Sequence, residues 1–112
     1  MIYLDNAATT KPSQKAAEAM LMSVEEFGNP SSLHGAGLRA EKLINGAKEN
    51  FAKTLGVDKK NIYFTSGGTE SNNLAILGSA DVMKRRGNRV ITSKIEHPSV
   101  LETVTFVTNA EK

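Results

Sequence analysis

Apolar and polar positions alternate along this chain in helical period first, and then in an alternation of short extended and helical stretches. Ala17, Met20, Leu21, Val24 and Phe27 fall at helical spacing while Lys15, Glu18 and Glu25 take other faces. This predicts a helix capped by Ser13, after Lys11-Pro12, and stopped at Gly28. A second helix is predicted over about residues 37–55, with Ala40, Ile44, Ala47, Phe51 and Leu55 as its inward stripe, Glu41, Lys42, Lys48 and Glu49 on its wet side, and Gly56 as its stop. Ahead of both, the β-favouring run at 2–4 ends in the turn pair Asp5-Asn6.

From Asn61 onward the pattern changes. Residues 62–65 (IYFT) have the bulk and β-propensity of a buried strand, and a glycine pair follows. A helix is then predicted from Thr69 to about Arg86, with Leu74, Ala75, Ile76, Leu77, Ala80 and Met83 spread around much of the cylinder, so that it expects cover on more than one side. Gly87-Asn88 stops it, 89–92 reads as a second strand, and a last helix runs from Pro98 to about Val107 with Ser99 and Glu102 at capping-box spacing. Strand, loop, helix, repeated, is the order of an α/β fold with a parallel sheet and right-handed crossovers. Two short strands cannot cover the apolar faces of four helices, and parallel sheets need neighbours on their edges and layers on both faces. The sheet is therefore expected to be incomplete and the chain to be a piece of a larger domain; the alternative is a small α-rich domain with a two-stranded sheet.

Composition narrows the function classes. The chain has 112 residues, 39% hydrophobic and 23% charged, which is ordinary for a globular domain able to bury a core. A net charge of +2, with scattered basic residues, gives no case for nucleic acid; the densest cluster, Lys84, Arg85 and Arg86, reads as the charged last turn of a helix. There are no cysteines, so a disulfide framework and a thiolate metal site are excluded, and no metal site is expected. The first residues lack the basic-then-apolar layout of a signal peptide, and no run approaches the about eighteen apolar residues of a membrane span. A cytoplasmic protein without membrane contact is the expectation. Met20, Met22 and Met83 are expected at or beside core positions.

The stretch FTSGGTESNN at 64–73 carries the most chemistry. A strand running through two glycines into a helix start lets the backbone approach a ligand closely. The unpaired N–H groups and the positive dipole end of such a helix favour a phosphate, and Ser66, Thr69 and Ser71 offer hydroxyls. It is neither a P-loop nor a dinucleotide fingerprint. On pattern alone, a phosphate site stands level with a tight turn capped by Thr69. His97, in EHP at 96–98, follows the second strand and so emerges at the same carboxyl-end rim as the glycine loop. It is a candidate for acid–base work or for stacking on a planar ring. Residues 4–10 and 29–35 read by themselves as loop and capping chemistry, and His34 is assigned no role.

Four motifs, YLDNAATT at 3–10, GNPSSLHGAGLRA at 28–40, FTSGGTESNN at 64–73 and EHPSV at 96–100, stand in an order and spacing that resemble the class V aminotransferase family of fold-type I pyridoxal-phosphate enzymes. Within it they resemble the NifS/IscS-type cysteine desulfurases more than the SufS-type group. The resemblance implies a parallel or mixed sheet with helices on both faces and pyridoxal 5'-phosphate as cofactor. It implies that Gly68 and Thr69 bind the cofactor phosphate, that His97 stacks on the pyridine ring and assists proton transfers, and that Asn6 lies near the mouth of the substrate site. It further implies L-cysteine as substrate, converted to L-alanine and an enzyme persulfide for iron–sulfur cluster assembly, a homodimer, and a scaffold or other sulfur-acceptor protein as partner.

The same resemblance divides the chain into an N-terminal arm at 1–12, a helix and active-site loop at 13–36, and the first part of the large cofactor-binding domain at 37–112. Family members are much longer, and their Schiff-base lysine, pyridine-nitrogen acid and persulfide cysteine have no counterpart here; Lys94 does not match the lysine motif. The expectation is an N-terminal portion inactive by itself. The alternatives are a non-catalytic module that associates with a full-length desulfurase, and another class V transferase such as a selenocysteine lyase.

Overall fold

Residues 2–110 are described by a computed structural model. Among them four α-helices follow one another: α1 (Gln14–Glu25), α2 (Gly35–Leu55), α3 (Gly68–Met83) and α4 (Pro98–Ala110), with a single 3-10 turn (Lys59–Asn61) between α2 and α3. Contacts divide the chain into two units, one up to Tyr63 and one from Phe64.

In the first unit the polypeptide turns at Asp5, whose carbonyl accepts from Ala8 N–H at 3.2 Å and Thr9 N–H at 3.4 Å. Ser13 then caps α1 as its residue type dictates, its Oγ accepting from Ala16 N–H at 3.2 Å. The helix ends before Gly28: the N–H of Glu26 closes onto Met22 O and Phe27 lies outside the helix, 88% exposed. α2 begins two residues ahead of the sequence expectation because His34 caps it, ring Nδ1 accepting from Gly37 N–H at 3.4 Å. At its other end Gly56 takes the left-handed conformation at φ 66°, the geometry glycine adopts without strain. Val57 N–H then returns to Ala52 O at 3.0 Å, the six-to-one closure of a Schellman turn. α2 packs on the 3-10 turn, which Asp58 caps through Oδ1 to Lys60 N–H at 3.1 Å, and Lys59 reaches Glu49 at 2.8 Å. Both charges of that pair are exposed, so it adds little to stability.

In the second unit α3 packs against α4. The expected cover on further sides is lacking among the described residues: Ile76 and Ala80 are half-buried, while Leu74 is 57% and Met83 50% exposed. Pro98 opens α4, where its missing N–H costs nothing and its fixed φ suits the first turn. The cap is His97 and not the Ser99–Glu102 pair: ring Nδ1 accepts from Ser99 N–H at 3.1 Å, and the His97 carbonyl takes Val100 and Leu101 N–H. Ser99 and Thr103 are the buried polar residues of this unit, Thr103 Oγ1 donating to Ser99 O at 2.7 Å.

Two expectations are corrected. Residues 62–65 and 89–92 form no strand among the described residues, so the parallel sheet is not present in them. Ile62 is extended at φ −96°, ψ 120°, but extended torsions alone make no strand; that takes a partner ladder, and neither segment has one. The inward stripe of α2 is not buried either: Ile44, Phe51 and Leu55 are 40%, 54% and 63% exposed, Met20 and Met22 on α1 lie open as well, and Ala52 is the buried hydrophobic residue. The stripes have helical period, but among the described residues these side chains remain largely exposed. The accessible surface measures the same shortfall. It is 9927 Å² for 12.0 kDa, against about 6000 Å² for one compact monomer of that mass or about 7200 Å² for two separate bodies of half that mass.

Candidate functional site

The start of α3 is built by four short-range side-chain bonds. Thr65 Oγ1 donates to Gly67 O at 3.1 Å and meets Ser71 Oγ at 2.6 Å. Glu70 reaches back with Oε2 to both the N–H and the Oγ of Ser66, each at 2.6 Å. The first backbone bond of the helix runs from Ser71 N–H to Gly67 O at 3.1 Å, so the N–H groups ahead of it have no carbonyl one turn back within the helix. Of the three hydroxyls the sequence offered, Ser66 and Ser71 are thus committed within the loop. Thr69 Oγ1 has no hydrogen-bond partner among the described residues, and no side chain caps the helix. The tight turn capped by Thr69 is excluded: Thr69 is inside the helix and Gly67 precedes it.

The two glycines are not there for torsion. Gly67 is extended at φ 169°, ψ −179°, a conformation any residue adopts, and a Cβ added at Gly67 or Gly68 would meet nothing within 4 Å. The space above the loop is left open by the chain itself.

A recess of about 500 Å³ between α3 and α4 is lined by Thr69, Asn73, His97, Ser99, Glu102 and Phe106, among others. Two of the residues expected at the site, Thr69 and His97, therefore share one concavity, and Gly68 is the first residue of the helix that carries Thr69. Asn73 Nδ2 holds Thr69 O at 2.8 Å, and Asn72 Nδ2 donates to Ser99 Oγ at 2.8 Å, linking the start of α3 to that of α4. Asn6 belongs to the first unit, where its carbonyl and Oδ1 face Thr10 Oγ1 at 3.3 and 3.4 Å. In the sequence, Asn72 and Asn73 stand inside a motif without an assigned role, and Ser99 reads only as half of a capping box. The signal was available: amides at 72 and 73 follow a phosphate-loop candidate by one helical turn, and Ser99 stands two residues after His97.

The whole described chain matches one protein family, Aminotransferase class-V, over residues 2–112. The chain belongs to that family. It is 50% identical over 110 residues to a NifS/IcsS protein homolog of Lactobacillus delbrueckii subsp. bulgaricus, covering 97% of this chain and 29% of the relative. It is 48% identical over 107 residues to cysteine desulfurase IscS of Dictyoglomus turgidum, covering 95% and 27%. Among solved structures, a NifS-like protein superimposes with a TM-score of 0.87 at 39% identity, over 97% of this chain and 30% of that one. The chain thus spans less than a third of the length of these class-V relatives.

Within a class-V chain the donor set at the start of α3 suits an anion: a helix N-terminus, a hydroxyl without a partner, and open space over two glycines. Glu70 contributes by holding the loop in that form. The Ser66 hydroxyl and then the Ser66 N–H, both donating to its carboxylate, keep the Glu70 pKa below its ordinary value. A carboxyl whose pKa is depressed in the folded state contributes stability above its unfolded pKa and loses it as pH falls through the lower folded value. Acidification is therefore expected to release Ser66 and fray the first turn of α3, and Glu70→Gln to remove that pH dependence. Backbone amide exchange at Ser66 followed from neutral to acid pH checks both; unchanged acid sensitivity in Glu70→Gln would count against the latch.

Described helices include none long and apolar enough to cross a membrane.

Proposed function

We propose that this chain is the part of a pyridoxal-phosphate-dependent cysteine desulfurase that receives the cofactor's phosphate and one face of its ring. The observation that carries the reading is the sharing of one recess by Thr69, whose hydroxyl lacks a partner among the described residues, and His97. Backbone N–H groups at Gly68 and Thr69 and the Thr69 hydroxyl bind the phosphate, favoured by the positive end of α3. His97 lies against the pyridine ring and exchanges protons with the substrate through its imidazole. Asn6 borders the substrate entrance. Pyridoxal 5'-phosphate, when bound, supplies the electron sink for reactions at the substrate's α-carbon.

The name cysteine desulfurase, borne by a relative, supports L-cysteine as substrate of the intact enzyme. Transfer of the sulfur to an iron–sulfur scaffold or another acceptor, and a homodimer as the working form, belong to the same proposal. Residues 62–65 and 89–92 are the segments that enter the sheet of that enzyme, residues 37–112 being the first part of its large domain. The TM-score of 0.87 to a NifS-like protein supports this assignment.

The chain has no cysteine to take up sulfur. With pyridoxal 5'-phosphate and L-cysteine it is expected to release no sulfide by itself, and to do so once a polypeptide carrying the rest of a relative's length is supplied. Sulfide from the chain alone, at a rate above free cofactor, would overturn this division of labour.

A further inference from the structure

We propose that Ser99 and Asn72 are positioning residues for His97, holding its imidazole in the tautomer that carries hydrogen on Nε2. The inference rests on the reading of His97 as the ring neighbour of the cofactor, and it adds what sets that ring's protonation pattern. Ser99 N–H lies 3.1 Å from His97 Nδ1, and a backbone N–H can only donate, so Nδ1 must present its lone pair. Ser99 Oγ lies 2.9 Å from the same nitrogen. Asn72 Nδ2 donates to that Oγ at 2.8 Å from the other side. Since Nδ1 carries no hydrogen, the Ser99 hydroxyl hydrogen turns to it and shares its one lone pair with the Ser99 N–H. The Asn72 amide, donating to the hydroxyl oxygen, steadies it. The remaining hydrogen of the neutral ring is on Nε2.

The arrangement is built to last. Ser99 is 9% exposed and Asn72 half-buried, so water competes poorly for the hydroxyl, and Thr103 Oγ1 ties the carbonyl of Ser99 to the next turn of α4. Asn72 reaches Ser99 across 27 positions of sequence, from α3 to α4. The residue that sets the histidine's tautomer therefore sits on the helix that carries the phosphate loop. Loop, ring and ring hydrogen are fixed by one pair of packed helices.

Long-range proton–nitrogen correlation NMR on the nitrogen-labelled chain tests this without cofactor, in a His34→Asn background that leaves His97 as the single histidine. His97 is expected to show a pyridine-like Nδ1 and a pyrrole-like Nε2. Ser99→Ala, and also Asn72→Asp, whose carboxylate takes the hydroxyl hydrogen for itself, are expected to lower the Nε2–H to Nδ1–H ratio by about fivefold, the weight of one hydrogen bond. Ser99→Thr, which keeps the hydroxyl, is expected to leave it unchanged. A pyrrole-like Nδ1 in the parent chain overturns the inference. So does an unchanged ratio in Asn72→Asp, a substitution of nearly equal shape that leaves the fold intact. Because no cofactor is present, these results stand apart from the cofactor reading, which is tested separately by binding of a pyridoxine-type phosphate.

Discussion

Purified alone, the chain is expected to associate with itself and to melt over a broad range of temperature instead of in one cooperative step. The reason lies in what its helices leave open. On α1 and just after it, Met20, Leu21, Val24 and Phe27 are 65%, 67%, 75% and 88% exposed, and Ile91 and Ile95 in the second unit are 96% and 95% exposed. Each large apolar side chain left in water forgoes about 1.5–3 kcal/mol of burial, and this many of them exposed favour association. Sedimentation velocity across a concentration series, with differential scanning calorimetry, measures both properties. A monomer at all concentrations with a sharp transition would show that the exposed stripes are not partner surfaces.

A second large effect is expected inside α2, with opposite signs at two of its glycines. Gly37 is buried at the first turn, and a Cβ there would stand 2.2 Å from Ser32 O and 2.7 Å from Asn29 O. Both are backbone carbonyls of a loop tied by Ser31 N–H to Asn29 Oδ1 at 2.9 Å and by Ser32 N–H to Asn29 O at 2.9 Å. Neither can give way without opening that loop. Gly37→Ala is therefore expected to cost about 1–3 kcal/mol and to release the amides of Ser31 and Ser32 to exchange. Gly46 lies in the same helix with nothing within 4 Å of its added Cβ. There Ala removes glycine's backbone entropy and is expected to favour the helix by about 1 kcal/mol. Far-UV helical signal and amide exchange of α2, compared between the two variants, decide the matter. Equal effects at both positions would mean that the close approach at Gly37 is absent in solution.

The sequence was legible where structure is local. Ser13, Gly56 and Pro98 punctuate helices as their own chemistry dictates, and Asp5 begins a turn. Two caps escaped notice because histidine is an uncommon cap: His34 and His97 both accept helix N–H groups through Nδ1. For His97 this means that one ring nitrogen serves the fold, leaving the other for the recess. The strands at 62–65 and 89–92 and the buried stripe of α2 do not emerge, because a strand takes a ladder and a buried stripe a covering layer, and the described residues do not supply them. At the site, the pattern of hydroxyls and glycines pointed to a phosphate. The resemblance singled out Thr69, and the geometry separates it from Ser66 and Ser71, whose hydroxyls are spent on Glu70 and Thr65.

The central claim, that the start of α3 and His97 together receive a pyridoxal-type phosphate, is tested most directly by calorimetric titration with 4'-deoxypyridoxine 5'-phosphate. This compound lacks the aldehyde and so cannot react with the chain's lysines. The account predicts saturable binding that is lost when the phosphate is removed from the ligand and weakened about tenfold or more by Thr69→Ala, the scale of one hydrogen bond to a charged group. Absence of binding, or equal binding with and without the phosphate, would contradict it.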